Sequence, residues 1–377
     1  MTDIDGRPGA GGGDEEPRTD GGDAGDGASD ANGGASDGPR PFRYETEVDP
    51  GEVRHFRHEV GETYLGDAVE IPVSVINGEH DGPTVLLTAA IHGDELNGVK
   101  VLQEVAAGYD PAEIHGTLVC LHVCNVPGYL AQQRYLPIYD QDLNRSFPGK
   151  PRSNTAERMA NAIYETFVKQ CDLGLDFHTS TRGRTTMYHV RADMATPAVA
   201  RLARAFGSNV VLSGEADAGS LRSVATNGGT PTITIEMGRA HRFQPELIER
   251  GIDGVESVLA EFDVLPGKPV IYPGWRRVVD AATDKTWLRA DTGGLVEMEY
   301  GAPLVYEGDA VCTISDHFKT RERTVRAPFT GLVVGALQNP VAAPGHPLCH
   351  LVSVDGATAA EIQREIDSGE FSERPWA

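Results

Sequence analysis

Lysine is scarce in this chain. Six occur in 377 residues, at 100, 150, 169, 268, 285 and 319, and arginine makes up the other 27 of the 33 basic residues. Acidic residues number 56, which sets the net charge at −23. Nucleic-acid binding needs a basic face, so that class of function is excluded. A high acid content with little lysine suits a high-salt cytoplasm, where screening removes self-repulsion, and a halophilic source is expected. Cysteine is also sparse: Cys120, Cys124, Cys171, Cys312 and Cys349 form no Cys-x-x-Cys pair. The odd count fits reduced thiols in a cytosol. No apolar run approaches a membrane span, and the N-terminus lacks a secretory layout of basic then apolar residues. A cytoplasmic protein with no membrane partner is expected; homo-oligomer formation is left open.

A hydrophobic fraction of 40% is enough for a core, and the length accommodates two domains. Residues 1–41 are rich in Gly and Asp and nearly devoid of apolar side chains, so a disordered acidic tail is expected. From residue 42 to 265, strand patterns alternate with helical ones. Strands are expected at 68–75, 84–91, 116–123, 173–180 and 229–238. Helices are expected at 95–107, 154–170, 198–206 and 245–262. This pattern predicts an α/β fold, a sheet flanked by helices on both faces. From about 266 to 357 the texture changes to short strands punctuated by Gly and Pro, predicting a small all-β module, with a helix or tail over 358–377.

The stretch from Thr84 to Gly98 reads as a buried strand that stops at His92-Gly93-Asp94-Glu95 and turns into a helix. His92 and Glu95 are three apart, so one helical turn brings both side chains to the same side. Alone, His-x-x-Glu also describes a solvated helix-start His and a first-turn Glu favoured by the helix dipole. The remainder of the chain adds His178 at the end of the 173–180 strand and Glu236 at the end of the 229–238 strand. Catalytic zinc takes three protein ligands and leaves one position for water, and two His with one Glu is a known set. His92, Glu95 and His178 supply it, implying one zinc per chain and a water activated for hydrolysis.

Asp176 shares a face with His178, so it either orients that imidazole or is a solvated strand-end carboxylate. Glu236 closes an otherwise apolar strand, which suits a general base and acid better than an edge carboxylate. Between Tyr129 and Lys150 runs a long loop of the kind enzymes use functionally. In it, Arg145 beside Asn144 suits a substrate carboxylate, and Arg134 suits an oxyanion. Arg182, Arg184 and Arg222 are further candidates, and for each a surface arginine in an acid-rich protein is the better reading. Cys120, His122 and Cys124 share one face of an expected strand; they form either a Cys-His-Cys metal site or, as the better reading, buried strand residues.

Four motifs together resemble the succinylglutamate desuccinylase/aspartoacylase family of zinc carboxypeptidase-like hydrolases. They are His92-Gly-Asp-Glu95, Asp142-Leu-Asn144-Arg145-Ser-Phe147-Pro-Gly, Asp176-Phe-His178-Thr and Ile235-Glu236-Met-Gly. The resemblance spans roughly residues 60–265. It implies His92, Glu95 and His178 as zinc ligands, Asn144 and Arg145 as contacts to a substrate carboxylate, and Glu236 as the water-activating residue. Arg134 resembles the family's oxyanion arginine. The implied fold is a carboxypeptidase-like mixed sheet flanked by helices, followed by a β-rich domain that narrows the site entrance. That C-terminal segment also resembles a lipoyl-type barrel, although no lysine follows Lys319 to carry a lipoyl or biotinyl group. For the C-terminal tyrosine that some members place in the site, the candidates are Tyr300 and Tyr306. The implied activity is deacylation of a small N-acyl amino acid; a carboxypeptidase and a non-catalytic metal-binding protein are the rival readings.

Overall fold

The computed structural model describes residues 38–137, 139–270, 277–280 (backbone only), 285–299 and 301–371. The tail expected over 1–41 therefore lies outside the described residues up to 37. Residues 38–41 are described and lack regular structure, yet the Arg40 carbonyl accepts a hydrogen bond from Asn77 Nδ2 at 3.0 Å.

One mixed sheet organises the chain. In order along the sequence, its first strands are β1 (Glu52–Glu62), β2 (Ala68–Asn77), β3 (His80–Ala89), β4 (His115–Leu121) and β5 (Leu173–Ser180). They are followed by β6 (Arg184–Ala192), β7 (Val210–Ser213) and β8 (Thr232–Arg239). Across the sheet the order is β6-β8-β5-β3-β4-β2-β1. β8, β5, β3 and β4 run parallel, while β2 and β6 are antiparallel to their neighbours β4 and β8. The parallel strands read as nearly unbroken apolar runs because both faces are covered.

The two faces divide by parity. Val85, Leu87 and Ala89 of β3 and Leu175 and Phe177 of β5 join a cluster beneath helices α1 (Asn97–Gly108), α3 (Pro197–Phe206) and α5 (Pro245–Glu261). Leu86 faces the other way, into a cluster closed by α2 (Thr155–Thr166) and α4 (Leu221–Asn227). Phe177 is 1% exposed and sits where α1 and α5 approach the sheet at Gly98 and Gly251. Truncating such a buried phenylalanine to alanine costs roughly 3–5 kcal/mol. Its neighbours in β5, Asp176 and His178, consequently project from the opposite face.

The C-terminal strands form two packed sheets. β11 (Gly294–Met298), β12 (Ala310–Ser315) and β13 (Glu322–Arg326) belong to one. β10 (Lys285–Arg289), β14 (Gly331–Leu337) and β15 (Pro347–Ser353) belong to the other. Val296, Val311, Ile314, Val333, Leu348 and Leu351 fill the space between them. Instead of standing apart as a closed barrel, this second sheet is continuous with the central one. β14 pairs antiparallel with the start of β6, through Gly335–Thr186, Ala336–Thr185 and Leu337–Arg184. The far half of β6 pairs with β7, which in turn pairs parallel with β9 (Arg277–Asp280). β14 is buried on both faces; Leu332 and Val334 pack toward Met187, Val210 and Ile362 of the final helix α6 (Gly356–Ser368). Among the described residues no helix is long and apolar enough to cross a membrane.

Candidate active site

β3 ends at Ala89, and the chain makes a turn through His92-Gly93-Asp94-Glu95 before α1 begins at Asn97. The expected helical turn at Glu95 is thus a tight turn, closed by Glu95 N donating to His92 O at 3.1 Å. Leu96 stands at the cap position without a side-chain hydrogen bond, so nothing local draws the helix start forward. Gly93 is required there: a Cβ on it would lie 2.1 Å from the carbonyl carbon of Gly128. The turn and the loop after β4 therefore interlock backbone to backbone, further joined by Gly93 N donating to Arg134 O at 3.2 Å.

His92, Glu95 and His178 converge and are 3%, 1% and 4% exposed. His92 Nδ1 lies 3.1 Å from His178 Nδ1 and 3.1 Å from Glu95 Oε1, and His178 Nδ1 lies 2.9 Å from Glu95 Oε2. Bonds of about 2.0–2.1 Å in a tetrahedron separate donor atoms by about 3.3 Å, so this spacing fits a zinc ion. The outer nitrogen of each imidazole meets a carboxylate. His178 Nε2 is 2.9 Å from Asp176 Oδ2, and His92 Nε2 is 3.1 Å from Asp142 Oδ1. Carboxylates so placed fix the tautomer and raise the basicity of a metal-binding imidazole. Asp176 is itself held by Thr88, whose hydroxyl donates at 2.7 Å. Of these two carboxylates, only Asp176 was singled out from the sequence for this position.

The buried carboxylates and imidazoles of the cluster act on one another. Burial works against Glu95 as a carboxylate, but His92 and His178 outweigh it and hold its pKa well below the usual range. Burial also opposes charge on His178, yet Asp176 and Glu95 raise its pKa well above 6.5. A metal ion bound by this set would compete with protons for the same imidazole nitrogens.

The other predicted residues line the same cleft, of about 380 Å³. Glu236 lies in register with His178 on β5 and with His189 on β6, and the register slips just beyond it, at Gly238 (φ +74°). Such bulges re-aim side chains beside active sites. Its Oε1 accepts from Arg191 Nε at 2.9 Å. Arg134 reaches Glu95 Oε1 with Nη1 at 2.6 Å. Asn144 Oδ1 accepts from Leu221 N, and its Nδ2 lies 3.4 Å from His178 Nε2. Arg145 pairs with Asp217 at 2.5 Å.

The structure corrects the reading of Arg222 as a surface residue. It lines the cleft mostly buried, and desolvation, with Arg191 adding to it, lowers its pKa to about 10. Nη1 donates to Gly214 O at 3.2 Å. Arg182 is exposed, and Arg184 lies over Trp287 at 5.1 Å. Glu215, Asp217, Lys285 and Trp287 also line the cleft and carried no sequence signal. Tyr306 is exposed and does not line it; Tyr300 lies outside the described residues. The Cys120 strand ends at Leu121, so Cys124 falls outside it. Burial lifts the Cys120 thiol to about 12, and His122 Nε2 contacts Ser74 Oγ at 2.7 Å instead of a thiol.

A mixed α/β sheet carrying two histidines and a glutamate around one point, with further carboxylates and arginines in the same cleft, is an arrangement suited to hydrolysis. Residues 81–262 match the model of the succinylglutamate desuccinylase/aspartoacylase catalytic domain, and the chain belongs to that family. It is 31% identical over 266 residues to the N-alpha-acetyl-L-2,4-diaminobutyric acid deacetylase of Halomonas elongata, covering 66% of this chain and 75% of that protein. A succinylglutamate desuccinylase from Silicibacter sp. TM1040 superposes with a TM-score of 0.72 at 25% identity, covering 84% and 98% of the two chains. The product-bound ectoine utilization protein EutE (DoeB) from Ruegeria pomeroyi shares the fold, with a TM-score of 0.73 at 24% identity over 85% and 100%.

Proposed function

We propose that this protein hydrolyses the amide bond of a small N-acylated amino acid, and that its substrates are N-acetylated diamino acids of the kind named for the Halomonas relative. The observation that carries the reading is the convergence of His92, Glu95 and His178 beside Glu236 in one cleft. His92, Glu95 and His178 would hold one zinc ion per chain, which would supply Lewis acidity for water and for the amide carbonyl. Glu236 takes a proton from the attacking water and delivers it to the leaving nitrogen. Arg134, with one nitrogen on Glu95, presents the rest of its guanidinium to the developing oxyanion. Asn144 and Arg145, with Arg222 deeper in the cleft, hold the substrate carboxylate.

We read residues 42–265 as the hydrolase domain, 266–357 as a β-rich domain and 358–377 as a closing helix and tail. Trp287 and Lys285 from the β-rich part crowd the cleft, which favours a small substrate over a peptide. The acidic composition supports a halophilic, cytoplasmic enzyme. The test is a screen of N-acetyl, N-succinyl and N-formyl amino acids at high salt, reading amine release with and without chelator. Chelator-sensitive release from an N-acetyl amino acid is expected; no release from any of them would reject the reading.

A further inference from the structure

Of the carboxylates in the cleft, two are engaged by the site itself. Glu95 serves two imidazoles, Arg134 and the Thr179 amide, and Glu236 holds Arg191. Asp217 and Glu215 remain, on the segment leading into α4. The segment is fixed in place. Gly219 O accepts from Phe147 N at 3.0 Å, and Leu221 N donates to Asn144 Oδ1 at 2.9 Å. Gly219, with φ +76°, packs so closely that a Cβ would lie 2.5 Å from Arg145 O. These ties hold Asp217 against Arg145.

The Arg145–Asp217 pair is unlike the other two in the cleft. Its side chains are 46% and 72% exposed, so it contributes little to stability and opens easily. A ligand with a carboxylate and an ammonium group close together can replace both halves at once, leaving neither protein charge unpaired. A dianionic N-acyl amino acid can take Arg145 but leaves Asp217 and Glu215 facing a second negative charge.

We propose that Asp217, supported by Glu215, selects substrates with a positively charged side chain. The substrate opens the Arg145–Asp217 pair: its α-carboxylate takes Arg145 and its side-chain ammonium takes Asp217. This rests on the deacylase reading above and names the residues behind its specificity.

The test compares Nα-acetyl-L-2,4-diaminobutyrate, the uncharged N-acetyl-L-2-aminobutyrate and N-acetyl-L-aspartate as substrates. The wild-type protein is expected to favour the first by at least tenfold in kcat/KM over each of the others. In Asp217→Asn that preference over the uncharged analogue should shrink at least fivefold, mainly through KM, with a smaller reduction in Glu215→Gln. Asp217→Lys should shift preference toward N-acetyl-L-aspartate. An unchanged preference in Asp217→Asn, or a wild-type protein indifferent to the ammonium group, overturns the proposal. Calorimetric binding of L-2,4-diaminobutyrate separates the two readings. Binding that Asp217→Asn weakens, in a wild-type protein that cleaves no amide, removes the reaction but supports the subsite; amide cleavage with a preference unaltered in Asp217→Asn does the reverse.

Discussion

Asp176 is fully buried and accepts two hydrogen bonds, one per oxygen, from Thr88 Oγ1 at 2.7 Å and from His178 Nε2 at 2.9 Å. Replacing it with asparagine keeps the shape but leaves one oxygen for two donors. Whichever way the amide turns, one buried donor faces an NH₂ group, which costs about 1–3 kcal/mol in the metal-free protein. The lost negative charge also weakens His178 as a ligand. Removing a carboxylate that orients a metal-binding imidazole lowers metal affinity by about 10–100-fold, or about 1.4–2.7 kcal/mol. Asp142, which touches His92 Nε2 at 3.1 Å, is 20% exposed, so water can replace it more easily. Asp142→Asn should therefore lose less on both counts. Zinc affinity would be measured by competition with a chromophoric chelator, and stability by urea unfolding with and without zinc. An Asp176→Asn protein with wild-type zinc affinity and a wild-type unfolding midpoint would refute the role assigned to this carboxylate.

Glu236→Gln keeps an acceptor for Arg191 but cannot take a proton, so kcat should fall by about 10²–10⁴-fold with zinc content unchanged. Turnover near the wild-type rate would remove Glu236 from the chemistry. His92→Ala should purify without zinc and fail to bind it in a titration; one tightly held zinc per chain would break the ligand assignment. His350 is buried beside Arg191 and Lys285, and desolvation first, then those cations, lowers its pKa from 6.5 to about 3. The unfolded chain takes up this proton near pH 6.5 and the folded chain only near 3, so stability falls as pH drops through that interval. From pH 6.5 to 5 the loss from this group is roughly 1–2 kcal/mol. Urea midpoints across that range should decline less steeply in His350→Asn, and an identical slope would count against it.

Legibility followed locality. β5 spans Leu173–Ser180 as its apolar run predicts, and strict alternation puts Asp176 and His178 on one face. Metal-type donors at strand ends were legible for the same reason. β6 was not: Arg184-Thr-Thr-Met-Tyr-His-Val-Arg-Ala has no clean period, because Tyr188, Val190 and Ala192 join the helix cluster, Met187 joins a separate one, and both edges are paired, one with β8 and the other with β14 and then β7. Asp217 was unreadable because its partner, Arg145, comes from a loop 72 residues away, and Arg222 because its burial in the cleft and its charged neighbours Arg191, Asp176 and Glu236 are set by the packing of separate strands. Glu95 lost its expected helix because His178, Arg134 and the Thr179 amide all claim its carboxylate.

The strand Gly331–Leu337 completes the hydrogen bonding of Arg184–Thr186 while filling the interior of the β-rich part. Cutting the chain after residue 265 would bare three backbone positions on a strand next to Glu236 and uncover Met187 and Val210. The truncated protein would carry a sticky open margin beside its own catalytic groove, primed for self-association. Evolution could thus exchange the loops around this groove far more readily than it could shed the C-terminal third.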